Sequence, residues 1–159
     1  MRKSFFASAL TAGLIAGTLD ITAACIHAYI RNGTTPVQVL KGVASGAVDP
    51  TTFSSGTLLA ILGLIVHFII ALSFTFFFFF LAKQIPSLVK YPVPIAILYG
   101  IFVWSAMRFL ILPYLSRITP KPIVGKEAII NAIIGAVILM ICIGLPNVLL
   151  ARKYLKSAK

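Results

Sequence analysis

Asp20, His67 and Arg108 lie inside long apolar stretches of this 159-residue sequence, and that placement makes them the first candidates for chemistry. A charge at the centre of a bilayer costs roughly 2.5–3.5 kcal/mol on insertion scales, so such residues pair with one another or mark a functional site. Aspartate and histidine exchange protons near neutral pH, while arginine satisfies a carboxylate or attracts an anion. His27 and Asn131 are further polar residues in apolar surroundings, nearer the ends of their stretches.

At 1.5 Å rise per helical residue, Asp20 and His67 lie roughly 15–16 Å and Arg108 roughly 11 Å from the outer ends of their segments. Similar depth predicts one buried cluster contributed by three helices. In its structural form, Asp20 and Arg108 are an ion pair with His67 hydrogen-bonded nearby, holding three helices in register. In its functional form, the cluster binds or passes a small solute or a proton. No charged ladder continues toward the inner side, and the inner half is rich in phenylalanine, which favours a one-sided pocket over a pore. A b-type haem between His27 and His67 is a third form, although the two histidines differ by about 11 Å in depth. No pair of His, Cys or acidic residues has metal-ligand spacing on one helix, and no Ser–His–acid arrangement or nucleophile elbow is present. The expectation is a non-enzymatic protein with no metal and no cofactor.

The elements that carry these residues follow from composition. Hydrophobic residues make up 60% of the chain and charged residues 11%, with a mean hydropathy of +1.05. A soluble domain carries about a quarter charged residues and needs them to cover its surface. A soluble enzyme and a disordered chain are both excluded on this ground. The formal charge of +11 does not point to nucleic acid, because the basic residues flank the apolar runs as they do around membrane spans. Cys25 and Cys142 both fall inside apolar segments, so no disulfide framework is indicated.

Four stretches reach the roughly 20 apolar residues that a crossing helix needs. They cover about 5–30, 56–82, 91–115 and 128–151 and form one domain, an all-α four-helix bundle in the membrane. Thr22-Ala23-Ala24-Cys25 resembles a lipoprotein cleavage box, but Asp20 interrupts the would-be signal core and the apolar run continues to Ile30, as a retained span would. Arg2, Lys3, Lys83, Lys90, Arg152, Lys153, Lys156 and Lys159 fall on one face of the membrane, and Arg31, Lys41, Arg117, Lys121 and Lys126 on the other. This asymmetry predicts that both termini are cytoplasmic.

In the first outer loop, Thr35-Pro36 reads as an N-cap followed by proline at the first helical position. Val37, Leu40, Val43 and Ala47 recur at helical spacing, predicting a short helix in the outer interface or a packed loop. Ala9, Gly13 and Gly17 are spaced four apart, so another backbone can approach the face that also carries Asp20 and His27. That neighbour is a helix of the same chain, a second copy, or another subunit of a membrane complex. Pro146 predicts a kink in the last span.

Gly13-Leu14-Ile15-Ala16-Gly17, His67-Phe68, and Tyr99-Gly100 through Leu112-Pro113 followed by Thr119-Pro120 resemble, in this order, the YagU-like family of small bacterial inner-membrane proteins. The last helix departs from that pattern, with Asn131, Gly135 and Ala136 where a histidine and aromatic residues are expected. The resemblance implies four helices, a bacterial plasma-membrane location and an association with acid resistance. It assigns no reaction, ligand or functional residue.

Overall fold

The computed structural model describes residues 4–117, 119 and 122–158, and its element order is wholly helical among them. Six α-helices occur: α1 (Phe5–Asn32), α2 (Pro36–Ala47), α3 (Gly56–Gln84), α4 (Pro92–Ala106), α5 (Lys126–Leu139) and α6 (Leu145–Ala158). The third span continues from α4 into a π-helical segment, Met107–Leu115. The fourth runs from α5 through a second π-helical segment, Met140–Gly144, into α6. Four helical spans are long and apolar enough to cross a membrane: Phe5–Asn32, Gly56–Gln84, Pro92–Tyr114 and Lys126–Ser157. The last extends farther inward than its hydropathy suggests, because Arg152, Lys153 and Lys156 continue the helix beyond the apolar run.

Both π segments have a local cause. Proline lacks an N–H and its ring crowds the carbonyl four residues earlier. Pro113 lies within the first π segment and Pro146 follows the second, so the widened turns accommodate the rings. The kink expected at Pro146 thus takes the form of a π turn immediately before it.

Helices surrounded by lipid associate where side chains are small enough for backbones to meet. Gly13 faces Leu72 and Thr75 of α3, and Gly17 faces Phe68 and Ala71. Ala9, Ala12 and Ala16 are fully buried beside them. The small-residue face of α1 is therefore consumed inside the bundle and is not left open for another subunit. Side chains on Gly100 and Gly144 would collide with the backbones of Met140 and Ala96 respectively, which locks the third span against the fourth.

Thr35 accepts from the Gln38 backbone N–H while the Gln38 side chain accepts from the Thr35 N–H, a complete capping box that starts α2. The helix does not simply float in the interface. Gly63 of α3 lets the Leu40 carbonyl sit where a side chain would otherwise stand, and Ala44 is completely buried. Packing against α3 thus decides between the two readings of this loop.

The ends of the bundle beside α2 are tied by polar contacts. Arg31 pairs with Glu127 at 3.0 Å, joining the first and fourth spans. Arg117 pairs with Asp49 at 3.2 Å, and its backbone N–H donates to the Gly46 carbonyl. Hydrogen bonds from the Thr51 hydroxyl and backbone N–H, with a lesser contribution from Arg117, hold the Asp49 carboxyl below the usual carboxylate range. Both ion pairs are solvent-exposed on at least one side, so water and salt screen them and they add little to stability. The opposite ends, near the two termini, close around aromatic rings, with Phe5 edge-on to Phe79 and Tyr154. In the phenylalanine run, Phe78 and Phe79 are buried, whereas Phe77 and Phe80 are exposed toward lipid.

Gly63→Ala forces α2 away from α3, and an overpacking of this kind costs about 1–3 kcal/mol. Gly42, in the interior of α2, has open space where a side chain would go. Gly42→Ala is therefore expected to stabilise the protein by about 0.5–1 kcal/mol through helix propensity. Denaturant unfolding in detergent should move the two midpoints in opposite directions.

Candidate ligand cavity

Asp20, Ala24 and His27 recur at intervals of four and three, so they share one face of α1 about a turn apart from each other. That face lines a cavity of about 330 Å³ between all four spans. The α3 helix contributes His67, Ile70, Ala71 and Phe74, and the third span Val103, Trp104 and Met107. Gly135, Ile138, Leu139 and Ile143 come from the fourth span, and Val43 of α2 reaches in from the outer side. The walls are apolar apart from one carboxylate, two imidazoles and the indole.

His67 is held in place by a bond across helices. Its Nε2 lies 2.9 Å from the Gly17 carbonyl oxygen. A carbonyl only accepts, so Nε2 carries a proton in this contact. The contact requires α3 to lie close to α1, which Gly17 permits. His67 and Asp20 line the same cavity from neighbouring helices. His27 Nε2 is buried and has no hydrogen-bond partner. Unpaired polar atoms in an apolar wall are costly unless a ligand or water meets them.

The spacing predictions separate at this point. Asp20 and His67 line one cavity. His27, expected to be shallower and peripheral, lines the same cavity, because it continues the Asp20 face of α1. Arg108 instead lines a second pocket with Asn131, Ala132, Pro122 and Ile123. Trp104 borders both pockets and stands between them. The ion pairs among the described residues are Arg31–Glu127 and Arg117–Asp49, so the expected Asp20–Arg108 pair is not among them. Two of the chain's three acidic residues are thus matched to arginines at the outer ends, and Asp20 is the acid left in the cavity. Among the described residues no group of three His, Cys, Asp or Glu side chains is placed to hold a metal ion.

Two residues that sequence reasoning passed over are Thr75 and Asn147, both fully buried, with Thr75 Oγ1 and both Asn147 amide atoms unpaired. A signal for them existed. Thr75 is one turn from Ala71, and Asn147 directly follows Pro146 on the buried side of the last helix. Cys25 and Cys142 are free thiols.

Compared with known proteins, the chain matches no family model, no curated protein and no solved structure.

The Gly17 bond fixes which nitrogen of His67 is protonated. Nitrogen NMR of selectively labelled histidine at high pH should show His67 as the Nε2–H tautomer. A resonance pattern for the opposite tautomer would mean that α1 and α3 are not in this register.

Proposed function

We propose that this chain is a non-enzymatic, multi-pass membrane protein that binds a small organic cation in the cavity centred on Asp20. The observation that carries the reading is a single carboxylate within apolar walls shared by all four spans. A carboxylate in such surroundings lacks water to stabilise its charge and gains from a counter-ion. A compact inorganic cation would also lose its hydration and find few oxygen ligands here. An organic cation brings its charge to Asp20 and its carbon surface to Ile70, Leu139 and Ile143, while Trp104 and Phe74 offer aromatic faces. An anion would meet the Asp20 charge, and Arg108 lines the other pocket.

His67 commits Nε2 to Gly17, so the nitrogen that most readily ligates a haem iron is already engaged. Gly13 and Gly17 are engaged by α3 within this chain. Basic residues concentrated at the inner ends support cytoplasmic termini, and the YagU-like resemblance supports a bacterial plasma membrane. In that orientation the cavity lies in the outer half of the bilayer.

Phenyltrimethylammonium and its neutral isostere tert-butylbenzene test the reading on purified protein in detergent. Calorimetric titration should show saturable binding of the cation, weakened by about tenfold or more in Asp20→Asn, and weaker binding of the neutral compound. Equal binding of both compounds, or cation binding unchanged by Asp20→Asn, would overturn the proposal.

A further inference from the structure

The second pocket, about 360 Å³ in volume, lies between the third and fourth spans. Arg108 lines it from the third span, Ala128, Asn131 and Ala132 from α5, and Pro122 from the segment that leads into α5. The start of α5 is on the α2 side of the bundle, where Glu127 meets Arg31 at the end of α1. Ala128 and Ala132 offer only methyl groups, so the polar character of the pocket rests largely on Arg108 and Asn131.

The pocket is positively charged. A guanidinium keeps its proton at every physiological pH. No acidic side chain among the described residues lines the pocket. Asp49 and Glu127 are matched to Arg117 and Arg31, and Asp20 lines the other cavity. Arg108 also has an interaction within the protein. With five N–H donors, a guanidinium holds such a contact and a further acceptor together. Phosphate and carboxylate oxygens are the acceptors that its planar fork fits best.

Asn131 adds a second requirement. Its Oδ1 is buried and has no hydrogen-bond partner. An amide oxygen only accepts, so whatever meets it must bring a donor. An ammonium donor would be repelled by the neighbouring guanidinium in a pocket without a carboxylate. A hydroxyl carries no such cost. The ligand that answers both residues is therefore an anion with a free hydroxyl.

Position connects that chemistry to the bilayer. Counted from Lys126 at the start of α5, Ala128 is about 3 Å and Ala132 about 9 Å along the helix. The polar interface on each side of a bilayer is about 5–8 Å thick, so this is where headgroups give way to acyl chains. Ile129 and Ile133 follow the two alanines in sequence and are 48% and 58% exposed, which puts apolar surface beside the pocket.

We propose that this pocket binds the headgroup of an anionic glycerophospholipid carrying a free hydroxyl. The phosphate meets the Arg108 guanidinium, the headgroup hydroxyl donates to Asn131 Oδ1, and the acyl chains lie along Ile129 and Ile133. A soluble phosphate ester offers the same oxygens but leaves that apolar surface uncovered. The site is separate from the Asp20 cavity and does not depend on the reading given to it.

The test is calorimetric titration of the full chain, purified in detergent and washed free of lipid. The probes are short-chain phosphatidylglycerol and phosphatidylmethanol of the same chain length, which has the same charge but no headgroup hydroxyl. Wild-type protein should bind phosphatidylglycerol saturably and about fivefold more tightly than phosphatidylmethanol. Arg108→Gln should weaken both by about tenfold or more. Asn131→Leu should keep phosphatidylmethanol within about twofold and bring phosphatidylglycerol down to the same affinity. If Arg108→Gln does not fold, the Asn131→Leu comparison decides alone, because it involves no change of charge. Equal binding of the two lipids by wild type, an unchanged preference in Asn131→Leu, or lipid binding unaffected by Arg108→Gln would overturn the proposal. Glycerol 1-phosphate binding as tightly as phosphatidylglycerol would overturn the lipid as its source and make the ligand a soluble phosphate ester.

Discussion

Close backbone contact at residues without bulky side chains is the constraint on which this bundle depends. Lipid tails are as apolar as the helices they surround, so burying leucine gives no net drive to associate, and packing and hydrogen bonds must do so. Gly13 and Gly17 bring α1 onto α3, Gly63 brings α2 onto α3, and Gly100 and Gly144 bring the third and fourth spans together. The His67–Gly17 hydrogen bond exists only because of the first of these approaches. The Asp20 cavity lies between the same helices, lined by the larger side chains Ile70, Phe74, Trp104 and Leu139.

The distribution of charge follows from that geometry. Glu127 and Asp49 sit where water and arginine stabilise them, at the outer ends. Asp20 sits where apolar walls and two imidazoles surround it, with no ion pair among the described residues. On the proposed reading, a cation is the counter-ion that such a carboxylate lacks among the described residues of the chain. His27, Thr75 and Asn147 also carry buried polar atoms without a hydrogen-bond partner.

Much of the architecture is legible in the residues themselves. Run length shows the four spans, Thr35-Pro36 shows the start of α2, and the Ala9/Gly13/Gly17 spacing shows the close-packing face of α1. What that face packs against is not legible, because small residues permit an approach without naming the partner. Depth counting places Asp20 and His67 together but also groups Arg108 with them, since depth says nothing about direction around a helix axis. Trp104 occupies the intervening position, and the helix widens to π geometry at Met107, so the 3.6-residue register stops applying just before Arg108. Thr75 is hidden within a phenylalanine run and Asn147 beside a proline, where their neighbours dominate the hydropathy. Only their complete burial reveals that their polar atoms are unmet.

The central claim is that Asp20 makes an outer-half cavity selective for positive charge. Ala24 lines that cavity one turn from Asp20, so a cysteine there reports its potential directly. In a Cys25→Ser/Cys142→Ser background, Ala24→Cys should react about tenfold faster with a cationic methanethiosulfonate reagent applied from the outer side than with an anionic one. The difference should vanish on adding Asp20→Asn. Equal rates with Asp20 present, or no reaction with either reagent, would contradict the account.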